Sequence, residues 1–336
     1  MTRRRALVTA VCSFAAVLIA LSAIWLSNRP DRPSASSSAP LAEVGTAPPP
    51  VPDYGAYLGA SVSPDHYTEQ NRIDAMARFE RKVGAAMSIA HIYVRWGAPL
   101  ARPSNVSAVR SGHLLLVSWA ITDTRVVSSG SQDAIIESMA RQLAALRRPV
   151  FLEPRWEMDR PNLAATVHSA DDFIAAWDRL RTVFATIAPK NVSWVWCPTA
   201  AGFASGRAQA YYPGDNEVDW VCADAYPAQA YIPGTYQSFA ASIEAFVQWI
   251  GEHTKPAMIG EFGVPKSYGA KRAPWLAAAA RYIRSVPQIK AAVYFDGPSG
   301  STPDLQPSND YRLQGNPTAL QAFAAIAHEK YFRVPA

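Results

Sequence analysis

Cysteine, histidine and charge are all scarce in this chain. It has three cysteines and six histidines in 336 residues, and 18% of its residues are charged. No Cys-x-x-Cys pair and no His-Glu-x-x-His pattern occurs, so the usual zinc signatures are missing and neither a metal nor a cofactor is expected. No Gly-rich first turn of the dinucleotide-binding kind is present, which counts against a doubly wound sheet. The net charge is +5, but it is scattered, and Arg3, Arg4 and Arg5 alone supply three positive charges. Without a basic stripe interleaved with aromatics, nucleic acid is not an expected partner. Instead, 49% of the residues are hydrophobic and 11% aromatic, enough for one large globular domain.

The N-terminus reads as a targeting segment. After the three arginines, Ala6 to Leu26 is an uncharged, mostly apolar run of 21 residues. That exceeds a signal-peptide core of ~7–15 residues and matches the ~20 needed to span a bilayer. Residues 1–27 are therefore expected to be a signal anchor, or alternatively a cleaved signal peptide. Positive charge before the run places the remainder of the chain outside the cytoplasm, membrane-anchored or secreted. Residues 28–53 hold seven prolines and the run Ser34-Ala35-Ser36-Ser37-Ser38, the composition of a semi-extended linker. Cys197 and Cys222 remain beyond it. In an exported chain they suggest one disulfide; two buried free thiols are the alternative.

From residue 54 to 336 the pattern alternates. Apolar runs at Ala56–Val62, Ile89–Trp96, His113–Trp119, around Phe151, at Asn191–Cys197, Val218–Ala225, Pro256–Gly263 and Ile289–Phe295 predict eight strands. Apolar residues at helical spacing predict helices over Arg72–Val83, Gln132–Leu146, Asp171–Ile187, Phe239–Ile250, Trp275–Val286 and Thr318–Tyr331. This order points to a single α/β domain, a (β/α)8 TIM barrel, with its active site at the C-terminal ends of the strands. The residues expected there are Trp96, Trp119, Arg155, Trp156, Glu157, Asp159, Trp196, Asp224, Tyr226, Glu261 and Phe295. Aromatic faces around two carboxylates suit a sugar chain, because ring faces cover the apolar faces of pyranoses while polar groups take the hydroxyls. Asp159 and Asp224 are expected to hold loops or bind hydroxyls.

Five segments carry a family resemblance: R-W-E-M-D at 155–159, N-V-S-W-V-W-C-P at 191–198, Y-Y-P-G-D-N-E-V-D-W-V-C-A-D-A-Y at 211–226, K-P-A-M-I-G-E-F-G at 255–263 and A-A-V-Y-F-D at 291–296. In these the chain resembles glycoside hydrolase family 26, the β-mannanase family of retaining (β/α)8 glycosidases. The resemblance implies Glu157 on strand four as acid/base and Glu261 on strand seven as nucleophile. It implies that Tyr226 hydrogen-bonds the nucleophile and that Trp96, Trp196 and Phe295 lie near the sugar subsites. Trp156 stands where the family usually has His, Asp159 where Asn is usual, and Glu153 where Arg is often found. The expected function is that of a monomeric, endo-acting β-glycosidase on β-1,4-mannan or a related β-glucan. The alternative is a non-catalytic glycan-binding barrel in envelope polysaccharide handling.

Overall fold

Eight parallel strands close into a ring in chain order: β1 (Tyr57–Val62), β2 (Ile89–Arg95), β3 (Leu114–Ala120), β4 (Val150–Pro154), β5 (Val192–Trp196), β6 (Trp220–Ala225), β7 (Ala257–Phe262) and β8 (Ile289–Asp296). The computed structural model describes residues 47–227, 236–299 and 307–336. The expected membrane segment and most of the expected spacer lie outside these. Among the described residues no helix is long and apolar enough to cross a membrane.

The strands read as apolar runs because both faces are covered. One face fills the barrel with Leu114, Leu116, Phe151, Trp220, Met258 and Val293. The other packs under the helices, among them α1 (Glu69–Val83), α2 (Pro103–Arg110), α3 (Thr124–Ser128), α4 (Asp133–Leu146), α5 (Ala164–Val167), α6 (Ala170–Ile187), α7 (Ala200–Ala204), α8 (Phe239–Ile250), α9 (Arg272–Ser285) and α10 (Pro317–His328). The six expected helices are present. α1 starts three residues earlier than the apolar spacing suggests, because Thr68 caps it by accepting from the Asn71 N–H at 3.2 Å. The short α2, α3, α5 and α7 carry too few turns for an apolar period to show in sequence.

The last residues of the expected spacer already pack on the barrel. Pro49 and Pro52 are buried, and the Tyr57 hydroxyl donates to the Pro50 carbonyl at 3.0 Å. The pairing of β8 with β1 closes the ring, and at the start of β1 the C-terminal residues clasp onto it. Tyr57 forms an antiparallel bridge with Arg333, and the Ala56 N–H donates to the Tyr331 carbonyl at 3.0 Å.

Candidate active site

Three local devices bring the two glutamates to one cleft. β4 stops at Pro154, so Glu157 sits in a turn three residues past the strand rather than on it. Arg155 and Glu157 both take positive φ, 53° and 52°, which side-chain-bearing residues adopt at a cost of about 1–3 kcal/mol and which clusters at functional sites. The turn is pinned by two backbone bonds: Arg155 N–H to the Trp119 carbonyl at 2.9 Å and Glu157 N–H to the Cys197 carbonyl at 2.8 Å. On the far side, the pairing of β6 with β7 slips its register between Ala223 and Asp224. The slip sets Glu261 opposite Asp224, and such irregularities re-aim side chains beside active sites.

Glu261 is 7% exposed and held by two phenols. The Tyr226 hydroxyl donates to its Oε2 at 2.6 Å and the Tyr93 hydroxyl to its Oε1 at 2.5 Å. Burial pushes its carboxyl up to about 7, the charge of Glu157 adds to the rise, and the two phenols oppose it. Glu157 is also raised, chiefly by loss of water, while Arg160 pulls it down through a 2.6 Å contact to its Oε2. Trp156 completes this wall, its ring 5.3 Å from that of Tyr93. Both glutamates, Trp156, Asp224, Tyr226 and Phe295 line one open cleft of ≈ 630 Å³.

A buried polar layer lies under the pair. His91 Nε2 is 2.6 Å from the Ser118 hydroxyl, which donates to Glu153 Oε2. Glu153 and Asp224 are 1% and 3% exposed, and burial among other carboxyls raises both far above the usual range. Burial pushes His91 down to about 3, so its imidazole is neutral. Below them Cys197 and Cys222 are joined in a disulfide, Sγ–Sγ 2.07 Å. The register makes the bond possible. Val195 pairs with Trp220 and Trp196 with Val221, which sets the two cysteines side by side. Gly260 admits this floor, since a Cβ there would meet Cys222 Sγ at 2.6 Å and Asp224 Oδ1 at 2.8 Å. Glu153, Asp224 and the two sulfurs lie within 4.8 Å of one another. As a metal site the set fails chemically: the sulfurs are bonded to each other, and burial favours the neutral form of both carboxyls.

Several residues expected at the sugar do not reach the cleft. Trp119 is fully buried on the helix side of β3, with Trp96 stacked on it at 4.5 Å and donating to Gln132 at 2.9 Å. Trp196 is buried against Tyr212 and Trp249 outside β5. Arg155 donates to the Thr166 hydroxyl at 2.9 Å, away from Glu261. Asp159 is a loop brace, accepting from the Thr199 N–H at 2.8 Å and hydroxyl at 2.6 Å. The physical reason is strand alternation. Ile89, Leu116, Ser118 and Val195 are on the interior phase, so Trp119 and Trp196 fall on the opposite face, and Trp96 continues the outward phase of Val94. The same alternation puts His91 and Tyr93 inside, and it was the signal that could have found them. Tyr93, His91, Ser118 and Arg160 are site residues that choosing by residue type passes over.

A closed (β/α)8 ring with a buried Glu261 and a half-buried Glu157 facing one cleft places the chain in the broad class of (β/α)8-barrel proteins. The comparisons narrow it. No protein-family model matches the chain. It is 26% identical over 268 residues to endoglucanase H of Acetivibrio thermocellus, covering 74% of this chain and 28% of that protein. It is 30% identical over 141 residues to a β-1,3-xylanase of Vibrio sp., covering 40% and 28%. The chain thus spans less than a third of the length of these relatives. The catalytic domain of the family 26 endo-β-1,4-mannanase of Bacillus sp. JAMB-750 superposes with a TM-score of 0.61 at 15% identity, over 82% of this chain and 86% of that one. The chain is similar to glycoside hydrolase family 26 and shares its fold.

Proposed function

We propose that the chain is a retaining, endo-acting β-glycosidase that cleaves a β-linked polysaccharide, β-1,4-mannan or a related β-glucan. The observation that carries this reading is the asymmetry of the two glutamates. Glu261 is buried and fixed by two phenolic O–H donors, whereas Glu157, raised by loss of water and lowered by Arg160, is less enclosed and faces the cleft as a proton donor must. In the first step a Glu261 oxygen bonds to the anomeric carbon while the glycosidic C–O bond breaks. The Glu157 proton passes to the departing oxygen. With Glu261 esterified its charge is gone, and Glu157 is left as a carboxylate. Glu157 then takes a proton from water, whose oxygen attacks the anomeric carbon and frees Glu261.

The test uses the full chain in detergent with an aryl β-glycoside carrying a good leaving group. Glu157→Ala is expected to accumulate a glycosyl ester on Glu261, seen by peptide mass, and to lose about 10²–10⁴-fold in polymer cleavage. Glu261→Gln is expected to give neither ester nor cleavage. Cleavage that survives Glu261→Gln refutes the assignment. Binding of polymer without turnover by the unaltered chain selects the non-catalytic reading, which the Arg160–Glu157 ion pair favours by opposing the protonation of Glu157.

We also propose an extracytoplasmic site of action, with the chain held by the apolar run at residues 6–26. The Cys197–Cys222 bond supports this, because disulfides persist in oxidising compartments.

A further inference from the structure

Arginine lines this cleft where tryptophan was expected. Of the four tryptophans read from sequence as sugar platforms, only Trp156 faces it. Four guanidinium groups line it instead: Arg72, Arg102, Arg160 and Arg207. Their counter-charges are few. Glu69 serves both Arg102, which it contacts directly, and Arg72, at 3.9 Å, while also accepting from Ser104. One carboxylate between two guanidiniums leaves that cluster cationic. Arg72 also lies 5.0 Å from the centroid of the Tyr67 ring, and its buried Nε has no acceptor among the described residues. Arg207 is exposed and, among the described residues, has no carboxylate within 4 Å. The acids that line the cleft are Glu157, Asp224 and Glu261. Asp224 is buried in the floor, and Glu157 is matched by Arg160.

The placement matters as much as the count. Tyr67, Arg72 and Arg102 belong to the loops and helices that follow β1 and β2, and Arg207 to the loop that follows β5. In a ring of eight strands closed in chain order, β1 and β5 stand opposite each other. A polymer laid across the mouth over Glu157 and Glu261 therefore meets a guanidinium on either side of the reacting bond. Arg72 on Tyr67 offers a combined surface: a ring face for the sugar's C–H side and a fork of N–H donors for an anion. The hydroxyls of neutral mannan or glucan can accept from guanidinium N–H groups, but they carry no charge to offset this concentration of like charge.

We propose that the substrate is an anionic β-glycan, one bearing carboxylate, sulfate or phosphate groups, read by Arg72 and Arg102 on one side of the cut and by Arg207 on the other. The inference rests on the glycosidase reading for what happens to the bound chain, but not for the binding itself. The experiment uses the full chain in detergent with matched polymers: β-mannan and mixed-linkage β-glucan, each neutral, oxidised at C6 to the uronate, sulfated or phosphorylated. The expected result is a kcat/KM for one anionic form about tenfold above its neutral parent at low salt, which is what one charge-assisted contact supplies. The ratio should shrink as salt rises from about 20 to about 300 mM. It should fall toward one in Arg207→Gln and in Arg102→Gln. Because the ratio is taken within each variant, a partly unfolded preparation does not distort it. The derivative that gains identifies the anion.

Equal cleavage of neutral and anionic forms, or a ratio unmoved by both substitutions, overturns the inference and leaves the glycosidase reading standing. If no polymer is cut, equilibrium binding of the same pairs decides. Tighter binding of an anionic form, lost in Arg207→Gln, upholds the inference and removes the catalytic reading. Equal binding, or none, removes the inference.

Discussion

Glu261 sits between two phenols, and the two are not equally accessible. Tyr226 is tucked against Tyr311 at 4.8 Å, whereas Tyr93 is 41% exposed at the mouth of the cleft. Each O–H donated to the carboxylate stabilises the anion and lowers its pKa. Tyr93→Phe removes one donor with little change of shape. The Glu261 pKa then rises, so the acidic limb of kcat/KM against pH should move to higher pH by about one unit, the worth of one hydrogen bond to a charged group. A profile with an unmoved acidic limb would show that the Tyr93 hydroxyl does not set the titration of Glu261. Sequence pointed to Glu157, Glu261 and Tyr226 through local motifs, since each stands in a run of distinctive neighbours. Tyr93 stands in Ile-Ala-His-Ile-Tyr-Val-Arg, where only its phase relative to Ile89 marks it as inward. The tryptophans misled for the complementary reason. A large aromatic at a strand end fits both the mouth of a barrel and the layer beneath its helices, and residue type does not separate the two.

At the scale of elements, the junction of β5 and β6 does two jobs. The Cys197–Cys222 bond closes a stretch 25 residues apart in sequence, and the Cys197 carbonyl receives the Glu157 N–H. Chain-entropy bookkeeping puts the cross-link at about 3.5 kcal/mol. The double substitution Cys197→Ser, Cys222→Ser should therefore lower the melting temperature by several degrees. It should also reduce kcat more than it raises KM, because the turn that carries Glu157 loses the rigidity of its anchor. Calorimetry and steady-state kinetics on one preparation test both, and an unchanged melting temperature would show that the bond adds nothing to stability. The spacing of these cysteines made the pair possible without deciding it. The decision lay in the register of β5 against β6, a property of two strands that neither segment carries alone. The six long helices were legible for the converse reason: each carries its own period. α7, which packs beside Asp159 and Thr199 under the cleft, has five residues and no period to read.

The whole molecule carries its buried acids as a liability that depends on pH. Glu153, Asp224, Asp296 and Glu261 are all at most 9% exposed. Asp296 is pushed up to about 6 and Glu261 to about 7, both first by burial, and Glu153 and Asp224 rise well beyond the ordinary range. Unfolded, such carboxyls release their protons near pH 4. Above that pH the folded chain holds more protons than the unfolded one, so stability falls as pH rises through each folded value. Asp310, held down to about 2 by Arg312 and Lys266, works the other way, and its contribution is lost only below about pH 4. The melting temperature should therefore peak near pH 4–5 and decline from about pH 5 to about pH 8, with Glu153→Gln flattening the decline. A melting temperature that climbs over that interval would show that the floor acids are ionised in the folded state.

The clasp of Arg333 on Tyr57 has a consequence of a different kind. Because the last described residues are clasped to the first strand, the ring has no privileged point of entry. A short splice between its two ends, with a new opening at the exposed turn of Gly251 and Glu252, keeps every strand beside its present neighbours and both glutamates at the mouth. The placement of the two glutamates depends on the cyclic order of the strands and not on which loop is open.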